Sequence, residues 1–133
     1  MHVNGENCAT CDLKLQGVDV TLVNWFTWVK GNHPEVHIAW GYRGEEDQHN
    51  AFLAGKSKLD YPHSPHNHMH AGTPCSLALD VFQLEPDGTA KFDPVFYAAL
   101  NEETKEALYP IVWGGSFAHL VDMDHFQLSS ETP

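Results

Sequence analysis

Val18, Leu22, Trp25 and Val29 recur at i, i+4, i+7 and i+11, with Phe26 beside them. That spacing makes one apolar stripe, and it predicts an amphipathic helix over 17–30. Gly31-Asn32 supplies a stop, and Pro34 prevents continuation. Residues 36–40 alternate apolar and polar positions and read as a short strand. Gly41-Tyr42-Arg43-Gly44 breaks it. A second helix is predicted over 45–55, with Gln48, Phe52 and Leu53 on related faces and Gly55 at its end. Residues 56–65 are polar and hold Pro62 and Pro65, so they read as loop. A strand follows over 77–84, then a Pro86-Asp87-Gly88 turn, and Ala90-Lys91-Phe92 can return as a hairpin partner. Pro94 opens a third helix over about 94–107, where Phe96, Ala99, Leu100 and Leu108 can face inward. Residues 111–113 form a short strand or extended run, Gly114-Gly115 a flexible turn, and 125–128 the last strand.

Helices and strands in this order predict an α+β fold, with a small antiparallel sheet and about three helices, and not a βαβ repeat. The 133 residues hold no internal repeat or linker, so a single domain over 1–133 is expected, with 1–14 as an N-terminal extension.

Composition narrows the function classes. Apolar residues make up 42% of the chain, enough for a buried core. The net charge is −11, from 18 acidic and 7 basic residues. A nucleic-acid partner would need a basic face, and anionic lipid would need the same, so neither nucleic acid nor membrane is an expected partner. No apolar run approaches the roughly 20 residues of a membrane helix. The start, Met1-His2-Val3-Asn4-Gly5-Glu6, lacks the basic and apolar regions of a signal peptide, so synthesis in a cytoplasm is expected.

Three cysteines exclude a complete disulfide set. Cys8 and Cys11 form one C-x-x-C, two ligands short of a structural zinc site. They read as a reduced pair tucking in the N-terminus, with a metal or redox role as the alternative. Cys75 stands alone.

Candidate chemistry lies elsewhere. His63, His66, His68 and His70 crowd one loop. Asp80 sits among Leu79, Val81 and Phe82, where a carboxylate is costly unless it is paired or bound to metal. A solvated strand face or a turn cap would also explain it. His125 opens a Phe-Gln-Leu run after Asp122 and Asp124, and by itself reads equally well as an ordinary half-buried side chain. Two histidines and a carboxylate are a suitable donor set for catalytic zinc, which takes three protein ligands and keeps one open position.

The ordered set Ser64-Pro65-His66, Ala78-Leu79-Asp80 and Asp122-Met123-Asp124-His125 resembles a known pattern. It is that of the zinc D-alanyl-D-alanine carboxypeptidase and L-alanyl-D-glutamate endopeptidase family, whose fold is shared with the hedgehog domain. Gly41-Tyr42-Arg43, Gln48 and Trp113-Gly114-Gly115 are similar to further family features, and Gly55-Lys56-Ser57-Lys58 is similar to the phage members. The resemblance spans about residues 15–128. It implies a hedgehog/DD-peptidase-like fold and a zinc ion held by His66, Asp80 and His125. It implies Asp122 as the base that takes a proton from water and delivers it to the leaving amine. It also implies Arg43 at a substrate carboxylate or the scissile carbonyl, and Gln48 and Ser64 at the substrate.

The spacer between His66 and Asp80 is longer than is common in the family, so His68 and His70 stay open as alternative first ligands. A regular strand through 122–125 would turn Asp122 and His125 to opposite faces, so a bend is expected at 122–124. The implied activity is cleavage of the peptidoglycan stem peptide at L-Ala-D-Glu by a monomeric phage endolysin. Such an enzyme is held in the host cytoplasm until holin-mediated release to the periplasm and wall. The alternatives are a D-Ala-D-Ala carboxypeptidase or dipeptidase, and a non-catalytic zinc module of the same fold.

Overall fold

The computed structural model describes residues 14–57, 59–116 and 122–129. Its first helix, α1 (Val20–Asn32), is capped by Asp19, whose carboxylate accepts from the Thr21 N–H at 2.8 Å. The predicted stripe is the face it buries: Leu22, Trp25, Phe26 and Val29 are fully buried. The helix starts later than the stripe because Val18 instead bridges to Ser76 in parallel. It also runs through Gly31-Asn32 and ends at His33, just before Pro34. Lys30 is buried there, and its Nζ donates to the carbonyls of Pro34 at 2.7 Å and Val36 at 2.8 Å.

Strand β1 (Val36–Trp40) pairs antiparallel with β4 (Ala78–Leu84). Helix α2 (Glu45–Leu53) lies between them in sequence. Only Gln48 of its expected inner face is buried; Phe52 and Leu53 are exposed. The loop predicted before β4 contains a small hairpin, β2 (Met69–His70) with β3 (Thr73–Pro74). Its two-residue turn, Ala71-Gly72, has positive φ at both positions, the combination that suits a two-residue hairpin loop. Strands of two residues are too short to show a period.

Strand β5 (Ala90–Lys91) returns on β4 as expected. Helix α3 (Pro94–Glu106) buries Tyr97, Leu100 and Thr104. Phe96 packs at the core's edge. Ala99 is exposed, and Leu108 lies beyond the helix end, 87% exposed. Strands β6 (Ile111–Trp113) and β7 (His125–Leu128) complete a five-stranded antiparallel sheet of order β1-β4-β7-β6, with β5 on β4. The expected α+β class is the one observed, with three α-helices among the described residues. No helix among the described residues is long and apolar enough to cross a membrane.

β4 is the central strand. Ala78, Leu79, Asp80 and Val81 are all buried, so both of its faces are covered at that end. Tyr97 ties α3 to it, its hydroxyl donating to the Val81 carbonyl at 2.6 Å. Helices α1 and α3 meet through polar atoms inside the core. The Trp25 indole donates to Thr104 Oγ1 at 3.0 Å, and that hydroxyl donates to the Leu100 carbonyl at 2.8 Å. Thr104→Val keeps the volume and leaves the indole N–H unsatisfied, so it is expected to cost about 1–3 kcal/mol. Urea unfolding measures this, and an unchanged midpoint would refute it.

Candidate active site

The register of the central strands creates the site. β4 and β7 pair with Leu79 opposite Phe126 and Asp80 opposite His125. Directly opposed residues project to the same face, so the carboxylate and the imidazole meet: His125 Nδ1 lies 3.0 Å from Asp80 Oδ1. The third group arrives on a loop. Residues Pro65–Asn67 form one turn of 3₁₀ helix, begun by Ser64. Ser64 Oγ accepts from the His66 N–H at 3.2 Å, and Asn67 Oδ1 accepts from the Ser64 N–H at 3.1 Å, a reciprocal capping box. This turn is fixed to the sheet where the Leu77 N–H donates to the Pro65 carbonyl at 3.0 Å. His66 Nε2 then sits 3.2 Å from the same Asp80 oxygen.

His66, Asp80 and His125 therefore offer three ligand atoms within 4.8 Å of one another, all on buried residues. His68 and His70 are exposed on or beside the small hairpin, and His68 Nδ1 is 3.0 Å from the Cys75 carbonyl. Neither joins the buried group.

The far side of each ring fixes what faces inward. His66 Nδ1 lies 2.8 Å from the Gly41 carbonyl, an acceptor only, so Nδ1 carries a proton and Nε2 is turned toward Asp80. His125 Nε2 lies 2.8 Å from Gln127 Oε1, which turns Nδ1 toward Asp80. The inner nitrogens of both rings and the carboxylate converge on one point. A ring N–H held by a carbonyl oxygen, as at His66, is the usual support of a metal-ligating histidine. The donor set fits zinc.

Charges agree with this geometry. Burial pushes the Asp80 carboxyl up, but His66 and His125 outweigh it and hold the group well below the usual carboxylate range. Burial pulls the His125 pKa down, and the hydrogen bond and charge of Asp80 raise it above its ordinary value.

Arg43 is buried beside Asp80. Its NH2 is 3.6 Å from Asp80 Oδ2, the oxygen the histidines leave free, and NH1 donates to Gln48 Oε1 at 3.1 Å. Its guanidinium carbon is 4.6 Å from the Trp40 ring centroid. Gln48 is also not at a surface: it is fully buried, and its amide nitrogen is taken by Ser57 Oγ and the Leu59 carbonyl. Ser64 is buried as the cap of the 3₁₀ turn. Both brace loops: the Gln48 amide is bonded through Oε1 and Nε2, and Ser64 Oγ accepts from the His66 N–H.

Asp122 lies at the surface of the site, half-exposed, with Oδ2 3.9 Å from His125 Nδ1. The expected bend is present: the His125 N–H donates to the Asp122 carbonyl at 3.3 Å across a turn at Met123-Asp124. Asp124 is more enclosed, and burial with Asp80 and Asp122 nearby pushes its carboxyl up to about 8. The Asp124 backbone carbonyl accepts from the Val81 N–H at 2.9 Å.

Several supports were not foreseen from sequence. Asn67 Nδ2 donates to the Arg43 carbonyl at 2.7 Å and to Gln48 Oε1 at 3.2 Å. The S-x-x-N spacing of its capping box was the available signal. Gly41 must be glycine, since a Cβ there would collide with the Lys14 carbonyl oxygen. Gln127 stands next but one to His125, on the same side of β7. Cys75 is half-buried, and burial followed by Asp19 raises its thiol pKa. Cys8 and Cys11 lie outside the described residues.

The α+β fold thus buries a His-Asp-His set that could hold a metal ion, beside a half-exposed carboxylate. No protein-family model matches the chain, and no curated protein sequence does. Among solved structures, the L-Ala D-Glu endopeptidase ChiX of Serratia marcescens is similar, with 25% identity and a TM-score of 0.69. The match covers 93% of this chain and 90% of ChiX.

Proposed function

We propose that this chain is a zinc-dependent peptidoglycan hydrolase that cleaves the stem peptide at the L-Ala-D-Glu bond. The observation that carries the proposal is the convergence of His66 Nε2, Asp80 Oδ1 and His125 Nδ1 as three potential ligand atoms within 4.8 Å of one another. The likeness to ChiX over nearly both whole chains supports the substrate class.

His66, Asp80 and His125 would hold the ion. When bound, zinc supplies a Lewis acid for the scissile carbonyl and lowers the pKa of water. The remaining work falls to the chain's own groups. Asp122 takes the proton from water as its oxygen attacks the carbonyl carbon, then returns it to the leaving amine as the C–N bond breaks. Its half-exposed carboxylate lets water and substrate reach it, unlike the enclosed Asp124. Arg43 pairs with the second oxygen of Asp80 and helps to orient it. The tryptophan and tyrosine at positions 40 and 42 border a cavity of about 380 Å³ with Lys14 and Gln16, open beside the Gly41 carbonyl that holds His66.

The similarity of Gly55-Lys56-Ser57-Lys58 to phage members supports an endolysin role in host lysis. Purified disaccharide-tetrapeptide and -pentapeptide muropeptides, digested and weighed by mass spectrometry, test the reading. The expected products are the glycan with L-Ala attached and a peptide beginning with D-Glu, with loss of activity on chelation and return with zinc. Free D-alanine as the sole product would assign a D,D-carboxypeptidase instead. No product from a zinc-loaded protein would leave a non-catalytic module.

A further inference from the structure

The turn that carries Asp122 is seated on the end of β6 by two hydrogen bonds and one close approach. The Trp113 indole Nε1–H donates to the Met123 carbonyl at 2.7 Å. The Asp122 N–H donates to the Gly114 carbonyl at 3.1 Å. A Cβ on Gly114 would collide with the Asp122 carbonyl oxygen and would touch His125 Cβ at 3.0 Å. The indole is itself held in place: it lies against Phe126, with ring centroids 6.5 Å apart and an interplanar angle of 23°. It also covers Gly115, where a Cβ would run into the ring. Ser116 Oγ donates to the Trp113 carbonyl at 2.7 Å and closes the 3₁₀ turn.

These contacts have an unequal effect on the two functional residues of the turn. His125 belongs to β7 and is fixed by its pairing with Asp80. Asp122 precedes the strand, and its side chain is half-exposed. Its backbone is placed by Gly114 and by the carbonyl of Met123 that Trp113 grips.

We propose that Trp113 is a positioning residue for the catalytic carboxylate: its indole N–H and the bare Gly114 form a clamp that sets Asp122 relative to the substrate carbonyl. This rests on the reading of Asp122 as the base. The clamp acts on kcat and not on the metal or on substrate affinity. A misplacement of about 1 Å at a reacting group costs on the order of 10²-fold, which sets the scale of the effect.

The test is Trp113→Phe, which keeps the ring against Phe126 and removes the donor. A second variant places benzothienylalanine at 113, an indole isostere with sulfur in place of N–H, so that the fold survives if phenylalanine leaves too large a gap. Muropeptide hydrolysis is expected to show kcat per bound zinc reduced about 10–100-fold, with KM within about twofold and zinc content unchanged. In the zinc-free protein, amide hydrogen exchange at Asp122 is expected to speed up while that of Phe126 does not. Wild-type activity is measured in the same assay, and its absence would refute the hydrolase reading itself. With an active wild type, unchanged kcat in the isostere variant would overturn the clamp. Loss of zinc would also overturn it, because the indole would then be acting on His125.

Discussion

His66→Ala is expected to abolish stoichiometric zinc binding and to reduce muropeptide hydrolysis by about 10³-fold or more. The estimate follows from a Lewis acid worth several kcal/mol at the transition state, with about 1.4 kcal/mol for each factor of ten. His66 is 2% exposed and carries two roles that alanine cannot fill. Its Nε2 completes the ligand set, and its Nδ1–H satisfies the Gly41 carbonyl. The informative control is His68→Ala. That side chain is exposed and reaches only the Cys75 carbonyl among its hydrogen-bond partners described above, so zinc content and rate should match wild type. Metal analysis of both purified variants decides the matter. Zinc retained by His66→Ala and lost by His68→Ala would reassign the first ligand to the hairpin.

Asp122→Ala is expected to lower kcat by about 10²–10⁴-fold, the usual worth of a positioned general base, while zinc stays bound. The separation of the two effects comes from geometry. The carboxylate sits 3.9 Å from His125 Nδ1 and is half in solvent, whereas the three buried ligand groups are complete without it. Little stability is at stake, since an exposed carboxylate contributes little to folding. Lysis of permeabilised cells at the wild-type rate would remove Asp122 from the mechanism. Loss of zinc in this variant would make it a ligand rather than a base.

The strands and helices that frame the site were legible because each carries a long-enough pattern or a firm stop. The stripe through Leu22, Trp25, Phe26 and Val29 gave α1, and Pro94 gave the start of α3. Asp80 drew notice through its apolar neighbours, and the structure gives the reason it is tolerated: three basic side chains surround it. Roles that depend on which way a side chain points were less legible. Arg43 and Gln48 carry polar groups suited to a substrate, and the chain uses them to hold Asp80 and the 59-loop. The inner face of α3 carries Tyr97 and Thr104 with Leu100, and Ala99 is exposed. An aromatic side chain with a hydroxyl is ambiguous until its partner, the Val81 carbonyl, is known. Met123 and Gly114 act through backbone carbonyls, which a side-chain alphabet does not record.

The small hairpin explains how a long spacer between two functional residues can leave them undisturbed. Its base is closed twice, by the Cys75 N–H on the His68 carbonyl at 2.9 Å and by the Leu77 N–H on the Pro65 carbonyl at 3.0 Å. Its tip at Ala71-Gly72 is exposed, and a Cβ on Gly72 would meet no atom within 4 Å. Spacer length is thereby mechanically decoupled from the distance between His66 and Asp80. The tip is a natural port for grafting: an epitope, a fluorophore or a cell-wall-binding peptide inserted between Ala71 and Gly72 lengthens only the free end of a stapled loop.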